Sequence, residues 1–536
     1  MDTQPTLLPD SEGPPPNSTQ PAPSNGIEVP KPWPLRWLLV LACIYLYAFP
    51  YFDRLWNANE VPRVLLAQEI VDHHRLWIDA RIPDPGRMHS LDVSVALDRH
   101  IYPNKSPGLS FLAAPIYAVA RLFGHPSMRV CTWLFRVTVI TAPALVFLPF
   151  FLGMARRFAP DERACRTVLV AYALGSPALV YSLVFMSHQL AAACVGGSFL
   201  AAVALAHREA THPFLVALLA GFLAGLSVMV EYQSVLTVLI IAIYFIVRVP
   251  NRVRAVSAGL LGALPPAVLL GVYHKLAFGS PFKSGYSFAV ESTLHKGFLG
   301  FVGPSAACFW STLFVPSNGL FTLVPWTLFA LVGAIAVARN REARARCGAE
   351  TVVCVAVLAL NVAFLSSLDP YMARGGWSVG PRYLTATLPF LAWLAAAGFR
   401  AVERSSPARV LAQALVASTV MVFVAAATTY PHWPDGLRNP LYELTFPLLT
   451  HGYAVHSLGT FIGLHGLWAI APLYAVVLGV TIWLLSRGPG RSLRQTALAC
   501  VLAAGLVAGH RALPRTGAYA EKVWSFVTAT WEPPLR

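Results

Sequence analysis

The chain has 536 residues, 56% of them hydrophobic and 12% charged, with a formal net charge of +15. A soluble domain carries about 25% charged residues, so a string of soluble domains is excluded, and the mean hydropathy of +0.58 fits a membrane protein. The positive charge does not describe a nucleic-acid surface either, because the arginines are scattered between apolar spans instead of clustering with aromatics.

Residues 1–30 are rich in Pro, Ser and Asn with little apolar mass, which predicts a disordered cytoplasmic tail ahead of a polytopic body over 31–536. No cleavable signal peptide is recognisable, so a retained first helix is expected from about Trp33 to Phe52. Arg-rich connectors then recur, at Arg156–Arg166, Arg248–Arg254, Arg339–Arg346, Arg400–Arg409 and Arg487–Arg494. Short loops rich in Lys and Arg stay cytoplasmic, and holding all five inside imposes a parity on the spans between them. The apolar segment Ser110–Gly124 breaks that parity if it crosses, so it is expected to lie at the outer interface.

The fold class that results is all-α, with about thirteen membrane crossings, the N-terminus inside and the C-terminus outside. The predicted spans are 33–52, 130–155, 167–185, 188–206, 214–231, 232–248, 256–278, 319–338, 351–368, 383–400, 410–427, 465–485 and 495–511. A first outer loop with interfacial helices covers 53–129. The eight cysteines are dispersed and form no CxxC pair, which predicts packing roles and no zinc knuckle or disulfide scaffold. No phosphate-binding P-loop and no HExxH occurs, so neither a cytoplasmic nucleotide nor a metal is expected.

Three runs at the outer side carry chemistry-bearing residues. In Asn59-Glu60-Val61-Pro62-Arg63, Pro62 suits the first turn of a helix and later apolar residues recur near helical spacing. Glu60 then stands at the positive end of an interfacial helix, where it either complements the dipole or serves as a general base. Arg63 is expected to keep it ionised near neutral pH. In Tyr102-Pro103-Asn104-Lys105-Ser106-Pro107-Gly108, Lys105 is either a headgroup anchor or the partner of a phosphate at headgroup depth. In Gly375-Gly376-Trp377-Ser378-Val379-Gly380-Pro381-Arg382-Tyr383, Arg382 is expected at an outer helix mouth. There it is either an interfacial anchor beside Trp377 and Tyr383 or a bidentate phosphate ligand. His188, Glu231 and Arg136 also fall on the outer half, where pairing with one another and contact with a ligand are both open.

At these residues the chain resembles the GT-C membrane glycosyltransferases, particularly those of the aminoarabinose transferase and protein O-mannosyltransferase type (glycosyltransferase family 39-like). Asn59-Glu60-Val61-Pro62-Arg63 looks like the Asp-Glu motif and nearby Arg of their first outer loop. Lys105-Ser106-Pro107-Gly108 and Leu122-Phe123-Gly124 look like the Lys-Pro-Pro-Leu stretch and aromatic-Gly ending that follow. Pro381-Arg382-Tyr383-Leu384 through Leu388-Pro389 looks like a late Arg-Tyr-Leu and Leu-Pro stretch. Asn59 stands where the first acid of the pair aligns, which leaves Glu60 as the base, with Asp53 and Asp92 in reserve.

The resemblance implies a multi-pass protein of the bacterial inner membrane, active outside the cytoplasm and independent of metal or other cofactors. Its partners are then a polyprenyl-phosphate-linked sugar, a lipid, glycan or protein hydroxyl as acceptor, and membrane lipid, with no nucleic acid. Glu60 and Asn59 become the catalytic pair; Arg63, Lys105, Arg382, Tyr383, His188 and Glu231 contact substrate. A transporter or flippase of lipid-linked or small solutes is the other reading, weakened by the lack of a visible internal repeat.

Overall fold

The computed structural model describes residues 35–55, 57–82, 91–488 and 490–532. The polar tail over 1–30 and the start of the first span at Trp33 lie outside the described residues. Leaving aside Ala306–Phe314 and four helices of four or five residues, the helices in chain order are α1 (Leu35–Tyr47), α2 (Glu60–Asp72), α3 (Gly108–Arg121), α4 (Met128–Phe158), α5 (Glu162–Ala173), α6 (Pro177–Ser182) and α7 (His188–Ala206). They continue as α8 (Pro213–Val230), α9 (Ser234–Arg248), α10 (Arg252–Phe278), α11 (Pro325–Arg339), α12 (Arg341–Leu365) and α13 (Arg382–Val402). The last four are α14 (Ser406–Thr428), α15 (Gly466–Ser486), α16 (Leu493–Gly509) and α17 (Ala518–Thr530).

Nine helices among the described residues are long and apolar enough to cross a membrane: α4, α7, α8, α10 and α12–α16. The chain is an integral membrane protein. The other four predicted spans fall on shorter helices, α1, α9 and α11, and on the broken pair α5–α6. α3 has 14 residues and a proline, Pro115, in its interior. At 1.5 Å per residue it is roughly 21 Å long, short of the ~30 Å hydrocarbon core, a length it shares with α1, α9 and α11.

Water cannot drive helices together inside a membrane, so close contact has to come from small residues. A Cβ on Gly221 of α8 would stand 1.8 Å from the Gly259 carbonyl oxygen of α10, and one on Gly262 would stand 1.9 Å from that of Leu218. Gly333 of α11 and Gly398 of α13 make the same kind of crossing, 1.8 Å from the Leu394 oxygen and 2.1 Å from the Phe329 oxygen. Buried indoles are satisfied by carbonyls: Trp393 donates to Phe151 over 3.0 Å and Trp326 to Gly175 over 2.7 Å.

The two ends of the bundle differ. At one end the Arg-rich connectors touch each other: Arg346 donates to the Arg157 carbonyl over 2.7 Å, Arg491 pairs with Glu403, and Arg409 donates to the Glu403 carbonyl over 2.7 Å. The opposite end holds the described residues of 53–129 and the C-terminal helix α17. Trp531, just past α17, packs edge-on against Phe52, and Glu532 accepts from the Asp53 amide over 2.5 Å. Two small antiparallel ribbons close this end. Strand β1 (Ala48–Phe49) pairs with β4 (His456–Ser457), and β2 (Val93–Val95) pairs with β3 (Ile101–Pro103).

Candidate active site

α2 begins under a side-chain cap from two residues upstream. The Asn57 amide oxygen accepts from the backbone N–H of Asn59 at 2.8 Å and of Glu60 at 3.1 Å, satisfying donors that a helix start leaves open. Every residue from Glu60 through Glu69 is buried, so the protein itself covers the helix that the sequence pattern lays on a lipid surface. The reason is α3, which packs along α2 and fixes it with a hydrogen bond from Ser110 Oγ to the Arg63 carbonyl at 2.9 Å.

That start aims Asn59 and Glu60 in different directions. Asn59 Nδ2 donates to Asp92 at 2.9 Å, while its Oδ1 accepts from Arg63 Nη1 at 2.5 Å. Arg63 Nη2 reaches Ser187 Oγ at 3.4 Å, Ser187 donates to Glu231 at 2.6 Å, and His188 Nδ1 lies 3.4 Å from the same carboxylate oxygen. Lys105 Nζ stands 3.7 Å from Asp92 and 5.1 Å over the Tyr286 ring. One continuous polar network thus joins Asn59, Arg63, Asp92, Lys105, Ser187, His188 and Glu231.

Two turns deliver its cations. In Lys105-Ser106-Pro107-Gly108, Ser106 Oγ donates to the Met229 carbonyl at the end of α8. A Cβ on Gly108 would lie 2.4 Å from that same oxygen, so glycine is required for this approach. Docking the turn on Met229 brings Lys105 to the level of Glu231, two residues on. In the second turn, Gly375 has φ +83°, and a Cβ there would sit 3.3 Å from both Arg382 Nε and the Tyr383 ring. Glycine therefore permits the backbone turn and leaves room for the guanidinium. Arg382 is buried, lies 4.9 Å over the Tyr383 ring and donates to Tyr383 Oη at 3.1 Å. The sequence reading sets Arg382 at an open mouth; the packing of Gly375 and Tyr383 around it encloses it instead.

Glu60 faces the other way, toward a small cavity lined by Tyr51, Phe52, Leu55, Asn57, Thr132 and His432. Its Oε1 accepts from the Phe185 amide at 2.5 Å, and its Oε2 lies 3.8 Å from His432 Nε2. The Phe185 N–H is free to donate because 183–187 is the break between α6 and α7, where the helical ladder is interrupted. Burial pushes the Glu60 carboxyl up to about 7, against the opposing pull of the Phe185 amide, Arg63 and Arg136. Arg63 pulls Glu60 toward its ionised form, the direction expected of it, but burial outweighs that pull. Burial likewise lowers the Arg63 guanidinium. Asp92 behaves oppositely; burial would raise it, but Lys105, Arg382, Asn59 and Arg63 hold it below the usual carboxylate range.

Of the reserve carboxylates, Asp53 is drawn away into an ion pair with Arg129, whereas Asp92 is inside the network. Arg136, set inward by a π-helical turn over Arg136–Thr141, donates to the Ala48 carbonyl over 2.6 Å and lies 5.1 Å over the Phe49 ring. Sequence reasoning missed Asn57, Ser187, Tyr286 and His432. The run Tyr430-Pro431-His432-Trp433-Pro434, just past a span, was a signal for the last. Gly376-Trp377-Ser378-Val379-Gly380 has the spacing of a nucleophile elbow but lacks its strand-turn-helix setting, and Ser378 Oγ merely donates to the Gly375 and Gly376 carbonyls at 3.4 and 3.3 Å.

No family model matches the chain, and no curated protein matches it significantly. Solved structures do. ArnT from Cupriavidus metallidurans, in the apo state, is similar at TM-score 0.50 and 15% identity, over 89% of this chain and 74% of that one. The same protein bound to undecaprenyl phosphate gives TM-score 0.50 and 15% identity, over 89% of this chain and 75% of that one. The arabinosyltransferase EmbB from Mycobacterium smegmatis is similar at TM-score 0.44 and 12% identity, over 91% of this chain and 42% of that one. Identity at this level speaks for architecture, and with the helical bundle described above it gives one conclusion: the chain has the GT-C fold of membrane glycosyltransferases.

Proposed function

We propose that this protein is a glycosyltransferase that moves a sugar from a polyprenyl-phosphate donor to a hydroxyl of a lipid, glycan or protein, at the outer face of a bacterial inner membrane. The observation that carries the reading is the set of cations around Asn59 and Tyr383, two of them buried and one half-buried. Arg63, Lys105 and Arg382 converge there, and the N–H groups at Arg63 Nε and Arg382 Nε are buried without a partner among the described residues. Unpaired buried donors are costly, and a phosphate is the ligand whose oxygens satisfy several at once. The likeness in fold to a protein seen with undecaprenyl phosphate supports the same choice. The clustering of Arg-rich connectors at the far end of the bundle supports a site outside the cytoplasm.

In the proposed reaction the Glu60 carboxylate takes the proton of the acceptor hydroxyl. The acceptor oxygen bonds to the anomeric carbon from the face opposite the leaving group. The bond between that carbon and the phosphate oxygen breaks, and the polyprenyl phosphate departs with the electron pair, its charge stabilised by Lys105, Arg63 and Arg382. Tyr383 and Glu231 hold Arg382, Ser187 and His188 in place around it.

Transfer of labelled sugar from a polyprenyl-phosphate donor tests this. Glu60→Gln keeps the size of the side chain and removes its basicity, so the rate should fall by about 10²–10⁴ while donor binding persists. With Glu60 titrating at about 7, the wild-type rate should rise with pH through that value as the carboxyl loses its proton. Wild-type transfer by the Gln variant, with loss in Asp92→Asn, would move the base to Asp92. Full activity in both would end the catalytic reading of this loop.

A further inference from the structure

On the Glu60 side of the site, Asn57 is hydrogen-bonded to His432, and His432 Nε2 lies 3.8 Å from the Glu60 carboxylate, beyond hydrogen-bond distance but close enough for electrostatic contact. Asn57 is oriented without ambiguity. Its amide oxygen is taken by the two N–H groups at the start of α2, at 2.8 and 3.1 Å, so the remaining end must be the NH₂. That NH₂ stands 2.8 Å from His432 Nδ1. A donor there requires Nδ1 to be a bare acceptor, so the hydrogen of the neutral imidazole is on Nε2. Nε2 lies 3.8 Å from Glu60 Oε2, while the other carboxylate oxygen accepts from the Phe185 amide.

We infer that His432 is a positioning residue for the base: oriented by Asn57, it presents an Nε2–H to Glu60 and favours the carboxylate form. This rests on Glu60 being the base.

The surroundings favour a neutral donor over a second base. His432 is fully buried, its ring edge-on to Tyr430 with centroids 5.4 Å apart, and Asn57 occupies its other nitrogen. Burial and the nearby Arg382 lower its own titration to about 3, so it stays uncharged across the working range. The groups that face Glu60 are Arg63 from α2, Arg136 from the π turn of α4, the Phe185 amide from the α6–α7 break, His432, and the hydroxyls of Tyr51 and Tyr430. Both guanidiniums have other engagements, Arg63 with Asn59 and Ser187, Arg136 with the Ala48 carbonyl. Of the ring and amide donors on this list, the Phe185 N–H is backbone and cannot be tuned by a side chain. His432 is the side chain whose orientation is fixed by a dedicated partner. The same Asn57 that sets the His432 tautomer also caps α2, so the helix start that carries Glu60 and the group that faces its carboxylate are held by one side chain.

The test compares Glu60→Gln, His432→Ala and His432→Gln in the full-length purified protein, reading transfer against pH and binding of the donor lipid. A positioning role predicts that His432→Ala moves the rising limb of the pH profile upward by about one unit, which is roughly a tenfold loss below that limb and near-complete recovery above it. Donor binding should be unchanged, and His432→Gln, which can return an N–H, should restore much of the original limb. A His432→Ala profile that overlays wild type while Glu60→Gln is inactive would overturn the positioning role and leave the base standing. An active Glu60→Gln would remove the base and the positioning role together. If His432→Ala fails to fold, His432→Gln and Asn57→Asp decide the matter: Glu60 titration followed by infrared difference spectroscopy, with the Glu60→Gln protein as blank, must shift in Asn57→Asp and stay near wild type in His432→Gln, and the reverse pattern rejects the proposal.

Discussion

Asn59 shows how much one atom matters at the residue scale. With an amide at this position the side chain donates to Asp92 and accepts from Arg63 at the same time, which no carboxylate can do. The anionic charge of the network therefore rests on Asp92 and Glu231, and the base assigned to Glu60 is left on the opposite side of the helix start. Lys105 is the cation with the fewest ties to the protein, one 3.7 Å contact to Asp92 and the Tyr286 ring. Lys105→Ala should therefore leave the fold intact and weaken the binding of a polyprenyl phosphate. A charge-assisted contact is worth about 1.5–3 kcal/mol, so the affinity of purified protein should drop roughly tenfold to a hundredfold. Unaltered affinity would reduce Lys105 to a headgroup anchor.

At the scale of elements, the site is built where helices stop or break. Phe185, Ser187 and His188 lie at the α6–α7 break, Glu231 at the end of α8, Arg382 in the 3-10 turn that opens α13, and Glu60 at the start of α2. Helix ends leave unspent backbone donors and acceptors, which is why polar chemistry in an apolar bundle collects at them. The contact between the α3 turn and the end of α8 is the tightest of these joints. Gly108→Ala forces a Cβ to within 2.4 Å of the Met229 oxygen, so α3 must shift and carry Lys105 with it. The variant should lose about 1–3 kcal/mol of stability by overpacking and bind donor lipid less well. Gly153→Ala, in α4 with nothing within 4 Å of the new carbon, is the control. Equal thermal unfolding of the two in detergent would refute the joint.

The whole molecule separates its charges by end. Arg-rich connectors meet one another at one end, and the polar network, both ribbons and α17 occupy the other. If the first end is cytoplasmic, Ser127, exposed at the start of α4, faces outside and Ser405, exposed between α13 and α14, faces inside. In a background without other reactive cysteines, Ser127→Cys should react with a membrane-impermeant maleimide on intact cells, and Ser405→Cys only after permeabilisation. Labelling of both from one side would break the parity on which the proposed orientation depends.

Composition and hydropathy alone determined the class and the positions of the nine long apolar helices among the described residues, because crossing a ~30 Å core demands length and apolarity that any residue order must display. The three outer runs were legible for a similar reason: Gly, Pro and lone cations beside apolar spans need special backbone or special partners. What the tertiary structure decided was direction and burial. Asn59 and Glu60 are neighbours in sequence yet serve opposite sides of the site, since a helix turns about 100° per residue. Arg63 and Arg382 look like surface cations until Ser187, Gly375 and Tyr383 close around them. His432 lies more than 370 positions from Glu60 in the chain, and a contact of that separation leaves no trace in local pattern; only the packing of the 428–434 loop against the start of α2 creates it.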